Sequence, residues 1–368
     1  MIAFTSTKHH TYALPDFLEV FEVPAKTPII CYSNNPVGEY NKVPRVRLRE
    51  MKTGVWLAHY DFEGGEPMGL AKYNDILFVA DKKRKCVYFI DLSMKDVPTP
   101  YPSLQGVGEG TFHTPTGLVV VDNKYLIVLD CGTSTRPNPC LHVFDLRYPD
   151  FPFVATRSLD GKLLKTNSNL CSLSVKNDKE KSFYIFSGND IAPNPIVVCK
   201  LLERQSDDPR SSAKQSSMAS RPQRTIDFDF QGFQKEWKRG AGVPNPISAA
   251  VHADRNLVYV SSNKTESDMP IYVCNAGTDV IDKYRSENIS KRLKDLVGND
   301  VPKHLCVCTV PSTSSPSTTS AFLSSSCSSS SSSSSSSGER ADRNKESAAY
   351  LVLTLKTSTH TTICLKIN

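Results

Sequence analysis

Long apolar runs are missing from this 368-residue sequence. No stretch approaches the roughly 18 consecutive apolar residues that span a bilayer, which argues against a helical membrane segment. The opening residues Met1–His10 lack the apolar core of a secretory leader. The expected compartment is therefore the cytoplasm, with secretion only if the natural start lies upstream. Cys-x-x-Cys pairs are absent despite 11 cysteines, which removes zinc-ribbon and thioredoxin-type chemistry. Gly-x-Ser-x-Gly, His-Glu-x-x-His and glycine-rich phosphate loops are absent as well. Strong charge is also lacking, with a formal net charge of +6. The one tight basic run, Lys82–Lys85, reads as a solvated hairpin turn, so no nucleic-acid partner is expected.

What the chain does have is a repeat. Pro67–Ala71, Ile76–Asp81 and Val87–Leu92 are matched in order by Pro115–Val119, Leu126–Asp130 and Leu141–Leu146. Gly69 and Gly117 lie 48 positions apart, and Asp81 and Asp130 lie 49 apart. Each unit reads as three short strands separated by polar turns, the size of a propeller blade. Weaker copies follow at Ser172–Leu201 and Pro246–Cys274, and Met1–Val23 begins another. The sequence thus predicts an all-β fold, a six-bladed β-propeller with disordered polar inserts. A pair of β-sandwiches fits the regular spacing less well. Val79, Phe89, Val128 and Phe144 are expected between the sheets, and Trp56 and Trp237 are read as packing residues. Helix is expected only around Asn288–Val297, where apolar residues recur at spacings of three and four.

Two stretches dilute the pattern. Residues 204–224 hold almost no large apolar side chains, and 312–347 is a Ser-rich segment with an unbroken run from Ser328 to Ser337. Neither can offset its ordering entropy by burial, so both are expected to be disordered. Blades are assigned to 1–311, and the strand-like residues within 348–368 are placed to complete the last one. Cys306 and Cys308, beside His304, are read as two thiols on one strand face. Cys131 and Cys140 flank a Pro-containing loop that allows a disulfide only in an oxidising compartment.

The two strong units resemble the propellers of the NHL, gluconolactonase and yellow/major royal jelly groups. Pro67–Ala71 followed by Val79–Asp81 is similar to the NHL and lactonase pattern. Ile127–Gly132 running through Pro137–Cys140 into Val143–Leu146 looks closer to the yellow group. The resemblance implies three alternatives: a binding or interaction module, a metal-dependent lactonase, or a secreted ligand binder. Lactonases of this kind hold a divalent cation through oxygen ligands at the residue before the blade glycine. Here that position carries Met68, Thr116, Cys171 and Ile247, and the remaining ligand would fall to Glu66, which adjoins Pro67. No bound metal or other cofactor is expected from this set.

The reading that follows is a non-catalytic module for a protein partner or a small-molecule ligand. Its candidate ligand-binding residues are Glu66, His113, Thr116, Asn189 and Asp190, all placed near the loops between blades. Asp81 and Asp130, which close equivalent strands, are expected to cap turns through backbone amides.

Overall fold

Runs rich in Val, Ile, Leu, Phe and Tyr, each closed by a polar turn, fold as successive antiparallel hairpins. The computed structural model describes residues 2–4, 15–21, 28–34, 43–51, 53, 55–92, 99–100, 112–132, 138–159, 173–177, 182–186, 196–205, 224–229, 243, 246–262, 269–275, 280–298, 300–310, 348–355 and 362–367. Strand β1 (Ile2–Phe4) leads the chain. The first complete sheet holds β2 (Pro15–Phe21), β3 (Ile29–Asn34), β4 (Arg45–Glu50) and β5 (Trp56–Asp61). The second holds β6 (Pro67–Tyr73), β7 (Ile76–Asp81), β8 (Cys86–Asp91) and β9 (Thr99–Pro100). The third holds β10 (Pro115–Val121), β11 (Tyr125–Asp130), β12 (Cys140–Asp145) and β13 (Phe153–Ser158). The fourth holds β14 (Leu173–Asn177), β15 (Ser182–Phe186), β16 (Ile196–Gln205) and β17 (Arg224–Asp229). The fifth has β18 (Pro246–His252), β19 (Leu257–Ser262) and β20 (Ile271–Asn275), followed by helix α1 (Lys283–Val297). The last joins β21 (Pro302–Val310), β22 (Ala348–Leu355) and β23 (Thr362–Ile367) to β1.

The leading strands pack side by side in chain order, β2 on β6, β6 on β10, β10 on β14, β14 on β18 and β18 on β21. Strand β21 then returns to β2, so the leading strands form a closed ring of antiparallel sheets, which is a β-propeller. Strand β1 pairs with β23 and gives the last sheet its outer strand, so the two ends of the chain are tied into one sheet.

Strands β2, β6, β10, β18 and β21 each open on a proline, and in each the register slips just after it. Proline has no N–H for the ladder, so the first strand position suits it. Asn74, Asp122, Asn123 and Asn256 take positive φ in the hairpins that follow β6, β10 and β18, a conformation that Asx side chains tolerate. The repeated glycine has a different reason. A Cβ on Gly69 would lie 2.5 Å from the carbonyl oxygen of Thr116 and 2.9 Å from the amide of Leu118. The ring is closed there by backbone against backbone. Where the repeat has Ser248 instead, its hydroxyl accepts from the Leu305 amide of the next leading strand at 3.2 Å. Gly69→Ala is therefore expected to cost about 1–3 kcal/mol in urea unfolding, because the atoms it meets are main chain and cannot turn aside. An unchanged unfolding midpoint would show that the strands can spread without loss.

One core runs from the first sheet to the third through Leu48, Phe62, Leu77, Phe78, Val79, Val128 and Phe144. Val79, Val128 and Phe144 are fully buried as expected. Phe89 is only half-buried, on β8 opposite Thr99 of β9. Cys306 and Cys308 pack with Ile30, Met51, Val352 and Cys364 at the seam between the last and first sheets. Burial pushes the Cys364 thiol up to about 12, which keeps it protonated and unreactive. Trp56 departs from its expected packing role: it is 46 % exposed on the outermost strand of the first sheet. Trp237 lies outside the described residues.

Helix α1 begins a turn earlier than the apolar spacing indicates, capped by Asp282, whose side chain accepts from the Arg285 amide. It stands beside β20, where other sheets carry a fourth strand. Ser286 Oγ accepts from the Val273 amide at 2.8 Å, and Ser290 Oγ donates to the Ile271 carbonyl at 3.0 Å. Two serines one turn apart thus meet the strand's outer edge. Strands β16 and β17 pair Glu203 with Ile226 and Gln205 with Arg224, so the ladder takes in both margins of the 204–224 insert. The remainder of that insert and the Ser-rich segment lie outside the described residues.

Candidate functional site

The connections that enter β6 and β10 lie at one end of the ring, together with the turns after β7 and β11, because Pro67 pairs with Asp81 and Pro115 with Asp130. Two of the expected site residues lie in these loops. Glu66 precedes Pro67, and its carbonyl accepts from the Lys82 amide at 3.0 Å. Thr114 stands in the same relation to Cys131 at 2.9 Å, which makes the two loops structural copies. His113 occupies the second loop, one residue earlier.

Both aspartates are buried, and both cap these loops as their strand-end positions suggest. Asp130 accepts from the amides of His113 at 2.7 Å, Thr114 at 2.6 Å and Gly132 at 3.2 Å. Burial alone would raise its carboxyl, but the His142 ring and these three amides outweigh that, and the group is held below the usual carboxylate range. Asp81 accepts from the amides of Glu66 at 3.0 Å and Arg84 at 2.9 Å through one oxygen. Its other oxygen is buried with no hydrogen-bond partner among the described residues. The difference lies in the loop: Gly64 takes φ 68°, and the Gly65 amide turns to the Phe62 carbonyl instead.

The side chains at this end are largely engaged. The Glu66 carboxylate pairs with Lys82 Nζ at 3.1 Å. Arg84 donates to the Tyr88 hydroxyl at 2.6 Å and also reaches the Glu63 carbonyl. Thr116 is buried, with its hydroxyl 3.0 Å from Cys131 Sγ. Asn189 and Asp190 lie outside the described residues. Cys131 is a buried thiol against Thr116, and the Cys140 thiol donates to the Asn138 carbonyl, so the two sulfurs are directed to different partners.

His142 is a member of this site that the sequence did not reveal. Its Nε2 lies 3.8 Å from Asp130 Oδ2, its Nδ1 is 3.1 Å from the Thr156 hydroxyl, and its ring meets Phe112 edge-on. A polar residue inside the apolar run Leu141–Phe144, where the matching strand has Tyr88, was the available signal. The turn after β7 also bears Lys83, Arg84 and Lys85 at the surface, and Lys85 takes φ 58°.

A different pair of histidines is expected to dominate the pH response. His304, at the seam where β21 meets β2, is pulled well below the usual imidazole value by burial and then by Lys303. His252 is lowered by burial and by Arg255. A depressed histidine stabilises the fold above its unfolded value, about 6.5, and that contribution is lost as pH falls below it. The unfolding midpoint is therefore expected to drop between pH 7 and pH 5, and to drop less in His304→Gln. A midpoint that rises on acidification would contradict the assignment.

The hard cation implied by the sequence resemblance would need several oxygen ligands. Met68, which is buried, offers a thioether where an oxygen is needed, and the Thr116 hydroxyl is turned to Cys131. The Ile247 side chain and Cys171 lie outside the described residues. The groups that are described do not fit such a site.

No protein-family model matches the chain, and no curated protein does. Among solved structures, it is similar to the crystal structure of a nidogen/laminin complex, with 11 % identity over 69 % of this chain and 74 % of that one, at a TM-score of 0.42. It is also similar to the β-propeller domain of Myceliophteria thermophila Cps50 (Swd1), with 10 % identity, 75 % and 88 % coverage and a TM-score of 0.37. A third is the computationally designed Ika8 protein, at 14 % identity, 74 % and 61 % coverage and a TM-score of 0.36. No described helix is long and apolar enough to cross a membrane.

Proposed function

We propose that the chain is a six-bladed β-propeller acting as a non-catalytic interaction module, with residues 1–311 supplying blades and 348–368 completing the last. The partner is a protein or a small polar ligand met at the end of the ring that carries Glu66 and His113. One observation carries this reading: the acidic and hydroxyl groups at that end hold the scaffold together. Asp81 and Asp130 cap loops, Glu66 pairs with Lys82 and Thr116 meets Cys131. A hydrolase needs convergent groups free to meet substrate or metal. Among the described residues, Lys83 and Lys85 stay exposed at this end, in keeping with recognition. Asn189 and Asp190 belong to the proposed rim by their place in the repeat.

The test is metal content after dialysis without chelator, followed by lactone hydrolysis with added calcium, zinc or manganese. No retained metal and no turnover are expected. One equivalent of metal, or turnover abolished by Glu66→Gln, would replace the interaction module with a lactonase.

A further inference from the structure

The outer strand of the third sheet carries a hydroxyl backed by an imidazole. Thr156 lies on β13, opposite His142 of β12, and is exposed. Its Oγ1 is 3.1 Å from His142 Nδ1 and 3.3 Å from the Leu141 carbonyl. Behind it, His142 is 7 % exposed and Asp130 is 3 % exposed. His142 Nε2 faces Asp130 Oδ2 at 3.8 Å, an ion-pair distance rather than a hydrogen bond. Phe112, which is fully buried, meets the imidazole edge-on and limits its rotation.

The proton positions follow from charge. Three backbone amides hold Asp130 as a carboxylate, which favours the imidazole tautomer with its proton on Nε2. Nδ1 then keeps its lone pair toward Thr156, so the hydroxyl donates and its oxygen gains nucleophilic character. A nucleophile, a base within hydrogen-bond reach and a group that orients the base are the parts an acyl acceptor needs. The Leu159 amide donates to the Pro139 carbonyl, and the alternation of the ladder then turns the Thr156 amide to the outer edge. That N–H is a donor for the negative charge that develops on an acyl oxygen. Ser158, two residues on, shares the exposure and the strand face but lies opposite Cys140, so it has a hydroxyl without the imidazole.

We propose that Thr156 is a self-acylation site, which takes an acyl group from an activated ester or thioester. Thr156 Oγ1 attacks the acyl carbon and forms a C–O bond while its proton passes to His142 Nδ1. The bond from that carbon to the leaving oxygen or sulfur then breaks. The leaving group keeps the electron pair and takes the proton back from His142. The net change is an ester on Thr156 and a free alcohol or thiol. His142 is the base, and Asp130 is a positioning residue that acts through it. The step uses each chain once, on the outer strand of the third sheet rather than in the end loops. It goes beyond the interaction-module reading and does not rest on it.

The experiment incubates the full chain with p-nitrophenyl acetate, clears thiol adducts with neutral hydroxylamine, and locates the remaining acetyl groups by peptide mass spectrometry. Acetylation of Thr156 is expected, with Ser158 slower by about tenfold or more although its primary hydroxyl is the less hindered. Concentrated urea should abolish that preference, because the imidazole is no longer held beside the hydroxyl. His142→Gln should slow Thr156 labelling by about a hundredfold. Thr156→Ser should keep the labelling and Thr156→Val should remove it. Asp130→Asn should slow labelling at Thr156 but not at Ser158, and nitrogen chemical shifts should show the His142 proton moving from Nε2 to Nδ1. Circular dichroism confirms that each variant is folded. Equal labelling of Thr156 and Ser158 in the folded chain, or Thr156 labelling that persists in His142→Gln, would overturn the proposal. So would steady release of p-nitrophenol with no acetyl retained, which would make the group a hydrolase and defeat the interaction reading as well. Lactone turnover lost in Glu66→Gln would defeat the interaction reading alone.

Discussion

Replacing Phe144 with alanine is expected to lower stability by about 3–5 kcal/mol, enough to unfold a large share of an ordinary domain at modest denaturant. The ring is fully buried in the core that spans the first three sheets. It packs edge-on against Phe112, with centroids 6.2 Å apart, and Phe153, 5.9 Å apart. Truncation removes contacts on both sides, and the neighbouring strands cannot close the gap, because each is held by its own ladder. Equilibrium urea unfolding of the variant measures the loss. A change well under about 1 kcal/mol would mean that Phe144 faces outward and that the strand faces are assigned the wrong way round.

Asp130→Ala is expected to cost about 3 kcal/mol, by a different route. The carboxylate is 3 % exposed and accepts three amides, and alanine leaves those donors without their acceptor. Asp130→Asn is expected to cost less, because one oxygen can still serve Thr114 and Gly132, while the His113 amide would face an NH2 group. The same ordering gives a local readout. Amide exchange at His113 and Thr114 should accelerate strongly in the alanine variant and moderately in the asparagine variant. Equal exchange in all three proteins would show that the loop is held by something else.

The repeat was legible because the second and third sheets solve the same problem with the same residue types. Proline opens a strand, an Asx residue turns a hairpin, and an aspartate closes the second strand over the loop. These are local demands of backbone geometry and hydrogen bonding, so they leave a periodic mark at Pro67 and Pro115, or at Asp81 and Asp130. The spacing of the apolar residues carried the core as well, down to Val79 and Val128. The helix was visible from Asn288 onward, but its first turn was not, since that turn rests on the cap at Asp282 and on Ser286 meeting β20.

Other features depend on contacts between sheets, which local pattern cannot express. The glycine at 69 is only a mark of the repeat in sequence, and its reason is the carbonyl of Thr116 one sheet away. Nothing in the local pattern shows that Thr116 stands against Cys131 or that Glu66 pairs with Lys82, contacts that come from the folded sheets. Trp56 looks like core because large aromatics usually are, but strand order in the first sheet leaves it on the outer edge under two arginines. Amino-acid type and spacing determined that this chain would form strands and stack them in a repeated unit. Which polar groups are consumed by the scaffold, and which side chains stay exposed, was decided by closure of the ring, because burial is a property of the neighbours rather than of the residue.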